Sequence, residues 1–181
     1  EVGEVESFPV PYYLARSCDT AGFSDASAAR EAAGVDPDWN GAFMKALGEG
    51  LERYCAGVYR TADLETGSAA ALADAVSPAE FVCKREPDPT DTIEWASGEA
   101  LRTGDSVLLP AEFVYHPPPA HRYHSPVTTG LGLGNSGVEA LLAGLYEVIE
   151  RDAMMLAWYS TFEPLGLAIE DPVCETMENR A

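Results

Sequence analysis

Two stretches of this chain repeat one kernel, Glu-x-x-Glu-Arg: Glu49, Glu52 and Arg53 in the first, Glu147, Glu150 and Arg151 in the second. Carboxylates are hard oxygen ligands. Mg2+ is commonly held by one or two of them together with substrate phosphates. Arginine adds a fork of donors that matches phosphate oxygens. Two readings follow. Each kernel is a solvated helix face whose Glu–Arg pair is worth a few tenths of a kcal/mol. Alternatively the two faces meet, four or five carboxylates share a small volume, and cations sit between them.

Both kernels need a helix to place them. At about 100° per residue, Lys45, Glu52 and Arg53 fall beside Glu49, and Met44, Leu47, Leu51, Tyr54, Cys55 and Val58 fall opposite. In the second stretch Glu139, Glu147, Glu150 and Arg151 share one side, and Val138, Leu141, Leu142, Leu145, Val148 and Ile149 line the other. Both helices are amphipathic, with apolar sides expected on a sheet. Asp152 falls on the apolar side, so it is either buried with a partner or stands where the helix leaves the core. Asp36-Pro37 reads as a capped start for the first helix, over about 38–59. Ser136 and Glu139 have capping-box spacing at the start of the second, over about 136–162. Glu139 therefore has a structural role available to it. The turn TTGLGLGNSG before the second helix lets backbone approach a ligand, at a helix end that favours anions. It lacks the Gly-Lys-Ser/Thr of a phosphate-binding P-loop.

Elsewhere SFPVPYYLAR (7–16) reads as a strand, and TIEWASGEAL and DSVLLPAEFVYH as two more. DTAGFSDASAAREAAGVDPD (19–38) reads as a strand end and a loop running into the helix start, and 61–77 as a loop or short helix. HPPPAHRYH is a loop, because its three prolines forbid helix or central strand. FEPLGLAIEDP reads as strand-like. Strands and helices mix without strict βαβ alternation, which predicts an α+β fold: a mixed β-sheet with two principal amphipathic helices packed on it.

Composition excludes several classes. Thirty acidic residues stand against eleven basic, a net charge of −19, and only Lys45 and Lys84 are lysines. Nucleic acid and anionic membrane are poor partners for such a surface. The scarcity of lysine favours a halophilic habitat, in which salt screens the self-repulsion. No apolar run is long enough to span a bilayer. The start, EVGEVESFPV, has no signal-peptide pattern, and its lack of an initiating Met suggests a fragment. Cys18, Cys55, Cys83 and Cys174 form no C-x-x-C and read as free buried thiols of a cytoplasmic protein. His116, His121 and His124 read as loop residues, and Trp39, Trp95 and Trp158 as packing residues.

TTGLGLGNSGVEALLAGLYEVIERDAMMLAW closely resembles the signature segment of the YcaO family, and KALGEGLERYC resembles its earlier helix, in the subgroup typical of peptide-modifying cyclodehydratases. The order and separation of the motifs agree, and the resemblance covers about residues 8–170. It implies an enzyme that binds ATP with Mg2+ held between the phosphates and Glu side chains. The ATP activates a peptide amide oxygen: a Cys, Ser or Thr side chain or external sulfide attacks the carbonyl, the oxyanion is phosphorylated, and phosphate leaves to give an azoline or a thioamide.

Position by position, the resemblance implies nucleotide contacts for Glu49, Asn135, Glu139 and Arg151, and metal contacts for Glu49, Glu52, Glu147 and Glu150. No catalytic residue is assigned. Where some members carry Gly-Lys-Gly this chain has Gly34-Val35-Asp36, so a nucleotide-facing basic group is missing there. Family domains are about twice as long, so residues 1–181 are expected to be an N-terminal portion, inactive alone. The implied partners are a precursor peptide or protein substrate, a ThiF-like or TfuA-like protein, and a second copy in a homodimer. Two rival functions remain: a two-metal phosphohydrolase, and a non-catalytic nucleotide-binding scaffold.

Overall fold

A computed structural model describes residues 2–4, 10–125, 127–161 and 166. The strand-like FEPLGLAIEDP, apart from Gly166, and Cys174 lie outside the described residues, as do residues 7–9 of the first expected strand. The elements run β1 (Val2–Glu4), β2 (Tyr12–Arg16), β3 (Glu31–Val35), α1 (Trp39–Ala56), β4 (Glu65–Ser68), β5 (Thr92–Glu99), β6 (Ser106–Pro110) and α2 (Gly137–Tyr159), with short 3-10 turns at 61–63, 78–80 and 111–113. The fold is α+β, and its strands form two three-stranded antiparallel sheets, β1-β2-β3 and β4-β5-β6. Among the described residues the parallel component is an isolated bridge between Ala75 and Leu108. No helix among the described residues is long and apolar enough to cross a membrane.

The chain divides into two compact units. The first comprises residues 1–18, 30–52 and 128–181. In it β2 pairs with β3 so that Ala15 stands opposite Ala32. These two alanines and Ala46 of α1 form one buried cluster. Ala42 and Ala46 are both 0% exposed, and a Cβ at Gly50 would only touch those of Ala15 and Ala32. Residues 42, 46 and 50 are spaced one turn apart, so α1 meets the sheet along a stripe of small residues. A Cβ at Gly34 would collide with the Ala42 carbonyl and the Ala46 amide nitrogen, so glycine is what permits that approach. The expectation that the large apolar residues lie on a sheet is therefore corrected. On α1 the close backbone approach is made by Ala and Gly, because only small side chains let helix and strand backbones come so close, while Trp39 and Phe43 at its start pack edge-on against Tyr13 of β2. On α2 Leu141, Leu142, Leu145, Val148 and Ile149 are exposed, and Gly144 is its buried residue. Asp152 is likewise exposed.

The start of α1 also differs from expectation. Asp38 caps it: its carboxylate accepts from Gly41 N at 3.0 Å and its carbonyl from Ala42 N at 3.0 Å. Asp36 instead accepts from Asp38 N at 3.0 Å. Pro37 lies before the cap, which shifts the helix start by one residue. On α2 Ser136 caps as expected, accepting from Glu139 N at 3.2 Å.

The second unit comprises residues 19–29 and 53–127. Its core is Ile93, Trp95 and Tyr123, with Leu72, Leu108 and Phe113 packed against it. Trp95 is 1% exposed and donates its indole N–H to Gly67 O at 2.9 Å. Trp39, though half-exposed, packs edge-on against Tyr13 with ring centroids 5.8 Å apart, and Trp158 is exposed, so Trp95 and Trp39 pack as expected and Trp158 does not. Buried Glu112 accepts from Tyr123 N and His124 N, at 3.0 and 3.2 Å to the same oxygen. The histidine segment is a loop, with a cis His116–Pro117 bond. Cys18 and Cys55 are free but exposed and Cys83 is half-buried. The expected burial of the thiols therefore fails for the first two, Cys55 lying on a face of α1 left uncovered among the described residues.

Candidate functional site

The first unit holds a groove of about 580 Å3. From α1 it takes Met44, Lys45, Leu47, Gly48, Glu49, Leu51 and Glu52, from the glycine turn Leu133, Gly134 and Asn135, and from α2 Ala143. Lys45, Gly48, Glu49 and Glu52 are one face of α1 by the helical period. The large apolar residues Met44, Leu47 and Leu51 flank that polar face in the groove.

The glycine turn is fitted to α2. A Cβ at Gly132 would strike the Ala140 carbonyl, and one at Gly144 would lie 2.5 Å from the Gly130 carbonyl oxygen. Gly130 itself has φ +92°, a conformation that disfavours other residues. The turn therefore lies flat on the first turns of the helix, which brings Gly134 and Asn135 to the groove.

Three expected ligand carboxylates are each tied to a backbone N–H. Glu49 Oε2 accepts from Ala33 N at 2.7 Å. Glu139 Oε2 accepts from Asn135 N at 2.7 Å. Glu147 Oε2 accepts from Gly130 N at 3.0 Å, and its Oε1 from Arg151 Nη2 at 3.2 Å. Glu139 completes a local cap with Ser136, one residue earlier than a capping box would place it. Glu147 is no solvated surface residue, because it also anchors the glycine turn.

Of the expected site residues, Glu49, Glu52 and Asn135 meet in the groove. Glu139 and Glu147 lie one turn to either side of Ala143 on α2, with Glu150 and Arg151 beyond. Glu139, Glu150 and Arg151 are exposed. The four or five carboxylates do not gather: among the described residues no three His, Cys, Asp or Glu side chains are arranged to hold a metal. Each of the three tied carboxylates gives one oxygen to a backbone N–H.

Lys45, on the polar stripe by its spacing, is tethered at the end of β3. Its Nζ lies 2.7 Å from Asp36 Oδ2 and donates to Val35 O at 3.2 Å. The Lys45 hydrogen bond first, and the Asp38 N–H next, hold the Asp36 carboxyl below the usual carboxylate range. The Ala33 and Gly130 amides had no sequence signal, since any non-proline residue supplies such a donor.

This donor set fits a Mg-nucleotide. Glu49, Glu52 and Asn135 offer oxygen ligands of the hard kind Mg2+ takes. The groove's size falls in the range of small-molecule sites, roughly 300–1,000 Å3. The turn supplies a close backbone and the cap of α2 an anion-favouring helix end.

Residues 33–181 match the family model described as YcaO cyclodehydratase, ATP- and Mg2+-binding. An uncharacterized protein of Methanothermobacter thermautotrophicus is 36% identical over 121 residues, 61% of this chain and 30% of that protein. The structure of YcaO from Methanopyrus kandleri bound with AMPPCP and Mg2+ superposes with a TM-score of 0.74 at 27% identity, covering 99% of this chain and 45% of that one. A heterocyclase in complex with substrate and cofactor shares the fold, with a TM-score of 0.77 at 21% identity over 99% of this chain and 29% of that one. The chain thus spans less than half the length of these relatives. With most of its length matched by the family model, and with the groove built from the two motif helices, this chain belongs to the YcaO family.

Proposed function

We propose that residues 1–181 are the N-terminal, nucleotide-binding portion of an ATP- and Mg2+-dependent YcaO enzyme that activates a backbone amide of a peptide or protein. The product is an azoline or a thioamide. The observation that carries this reading is the groove in which Glu49 and Glu52 of one motif face Asn135 of the other. Family membership and the likeness to a YcaO structure bound with AMPPCP and Mg2+ support it.

In this reading Glu49 and Glu52 hold Mg2+, and Asn135 and the adjoining turn hold the nucleotide. Glu139 fixes the backbone at Asn135 and presents its second oxygen to the nucleotide. Glu147, Glu150 and Arg151 continue the metal- and phosphate-binding stripe along α2. Bound Mg-ATP supplies the phosphoryl group that turns an amide oxygen into a leaving group. The chain's own residues bind, orient and neutralise charge. The portion alone is inactive. In the cell it works in the cytoplasm as part of a longer, homodimeric protein, with a ThiF-like or TfuA-like protein presenting the peptide.

The test is Glu147→Gln in the full-length protein, measured by ATP turnover with and without peptide. Gln retains an acceptor for Gly130 N but loses the charge that holds Mg2+. The expected result is an intact fold and no peptide-dependent turnover. Wild-type turnover with unchanged Mg2+ dependence would reduce Glu147 to an anchor of the turn and its pair with Arg151 to a surface contact worth under ~1 kcal/mol.

A further inference from the structure

Among the described residues the groove of the first unit is lined by two carboxylates, Glu49 and Glu52, and one cationic side chain, Lys45. We propose that Lys45 is the phosphate-binding cation of this groove and that Asp36 is its positioning residue. The inference rests on the nucleotide reading and names a contact within it.

Four observations carry it. First, Lys45, Glu49 and Glu52 share one face of α1 at spacings of four and three residues. Ammonium and metal-binding carboxylates therefore face the same space. A Mg-polyphosphate needs that combination: carboxylates for the metal, and a cation for phosphate oxygens that the metal does not neutralise. Second, Lys45 is half-exposed at 59% and has donor capacity to spare. An ammonium carries three N–H donors. Asp36 Oδ2 and Val35 O take two, and the third has no protein partner among the described residues.

Third, the tether is built. Asp36 Oδ1 is fixed by Asp38 N at 3.0 Å. A Cβ at Gly41 would lie 2.6 Å from that same Asp36 oxygen, so a residue without a Cβ opens the place where the carboxylate rests. The result is an ammonium held at the groove by one carboxylate, on a flexible stem able to follow a ligand. Fourth, lysine is nearly absent from this chain, with Lys45 and Lys84 the two instances among 181 residues. One of the two lines the groove.

The experiment compares Lys45→Met, Lys45→Gln and wild type in the full-length protein, titrated calorimetrically with Mg-ATP and separately with adenosine. Circular dichroism and a melting curve check folding, and a half-exposed lysine on a helix surface tolerates both replacements. Loss of a charge-assisted contact predicts Mg-ATP binding weakened by about 10- to 100-fold, with adenosine binding unchanged. The salt dependence of Mg-ATP affinity becomes shallower in both variants. Lys45→Arg restores part of the affinity. Variants that bind Mg-ATP as tightly as wild type would overturn the assignment of Lys45 while leaving the function reading in place. Equal losses for Mg-ATP and adenosine would overturn it too, because the contact would then not be with phosphate. A wild-type protein that binds no Mg-nucleotide would overturn the function reading, and this inference with it.

Discussion

The Glu49 carboxylate and the Ala33 amide are joined by a 2.7 Å hydrogen bond between α1 and β3. One turn earlier on the same helix, Lys45 Nζ donates to Val35 O at 3.2 Å. The polar stripe of α1 thus hydrogen-bonds to alternate backbone groups of β3. A strand edge is a row of unsatisfied groups, and here two side chains bind part of it. The residue expected to hold Mg2+ also holds helix to strand, so its replacement has two separable effects.

Those effects distinguish Glu49→Gln from Glu49→Ala. Gln keeps an acceptor for Ala33 N and loses the charge. Its stability should stay within about 1 kcal/mol of wild type, while Mg2+-dependent nucleotide binding is lost. Ala removes the acceptor as well and should cost a further ~1–2 kcal/mol, since the Ala33 N–H loses its partner. Urea unfolding and Mg-ATP titration of both variants provide the check. Equal stabilities would show that the bond to Ala33 contributes nothing.

Gly34→Ala tests the close packing of α1 on its sheet. The added Cβ would collide with backbone atoms at Ala42 and Ala46, and backbone cannot rotate away as a side chain can. The helix must lift, separating Ala46 from Ala15 and Ala32. A loss of at least ~3 kcal/mol is expected, at the upper end for overpacking. Alanine at exposed Gly22, whose Cβ would meet nothing within 4 Å, is the control and should change stability little.

His116 gives the second unit a pH dependence. Burial first, and the positive charge of Arg53 second, hold its imidazole below the ordinary value of 6.5. Its buried Nδ1 has no hydrogen-bond partner among the described residues. The unfolded chain takes up the proton at higher pH than the folded one, so the stability contributed by neutral His116 is complete above about pH 6.5. It is lost as pH falls through the folded value. Melting temperature should therefore drop between pH 7 and pH 5.5, and drop less in His116→Phe. Parallel profiles for the two proteins would exclude His116 as the cause.

Salt should stabilise the chain strongly. A net charge of −19 repels itself most when unscreened. Thermal unfolding in low salt and in molar KCl should show a midpoint many degrees higher in KCl. A salt-independent midpoint would contradict the halophilic reading of the composition.

What the sequence alone determined was local. The 3.6-residue period located α1 and α2 to within three residues at each end, and Ser136 marked the start of α2 because capping uses neighbours in the chain. The kernels put Glu49 and Glu52 on one stripe for the same reason. The α+β class, the strand of TIEWASGEAL, the first half of the strand expected over DSVLLPAEFVYH (which ends at Pro110, where a 3-10 turn begins), and the family resemblance were likewise legible. What tertiary structure decided was every pairing between distant segments. Short β3 and β4, rich in Ala, Gly and Ser, have little intrinsic strand preference and exist because neighbouring strands pair with them. Along Ala42, Ala46 and Gly50 it is small residues that face the sheet on α1, because Gly34 lets the backbones approach, and Trp39 and Phe43 meet Tyr13 at the helix start. Asp36 and Asp38 are equivalent as cap candidates by type, and only the path of the chain gave the cap to Asp38 and Lys45 to Asp36. The backbone donors that orient Glu49 and Glu147 come from residues 16 and 17 positions away. No periodicity encodes such contacts, because they depend on where the chain returns and not on what stands next to it.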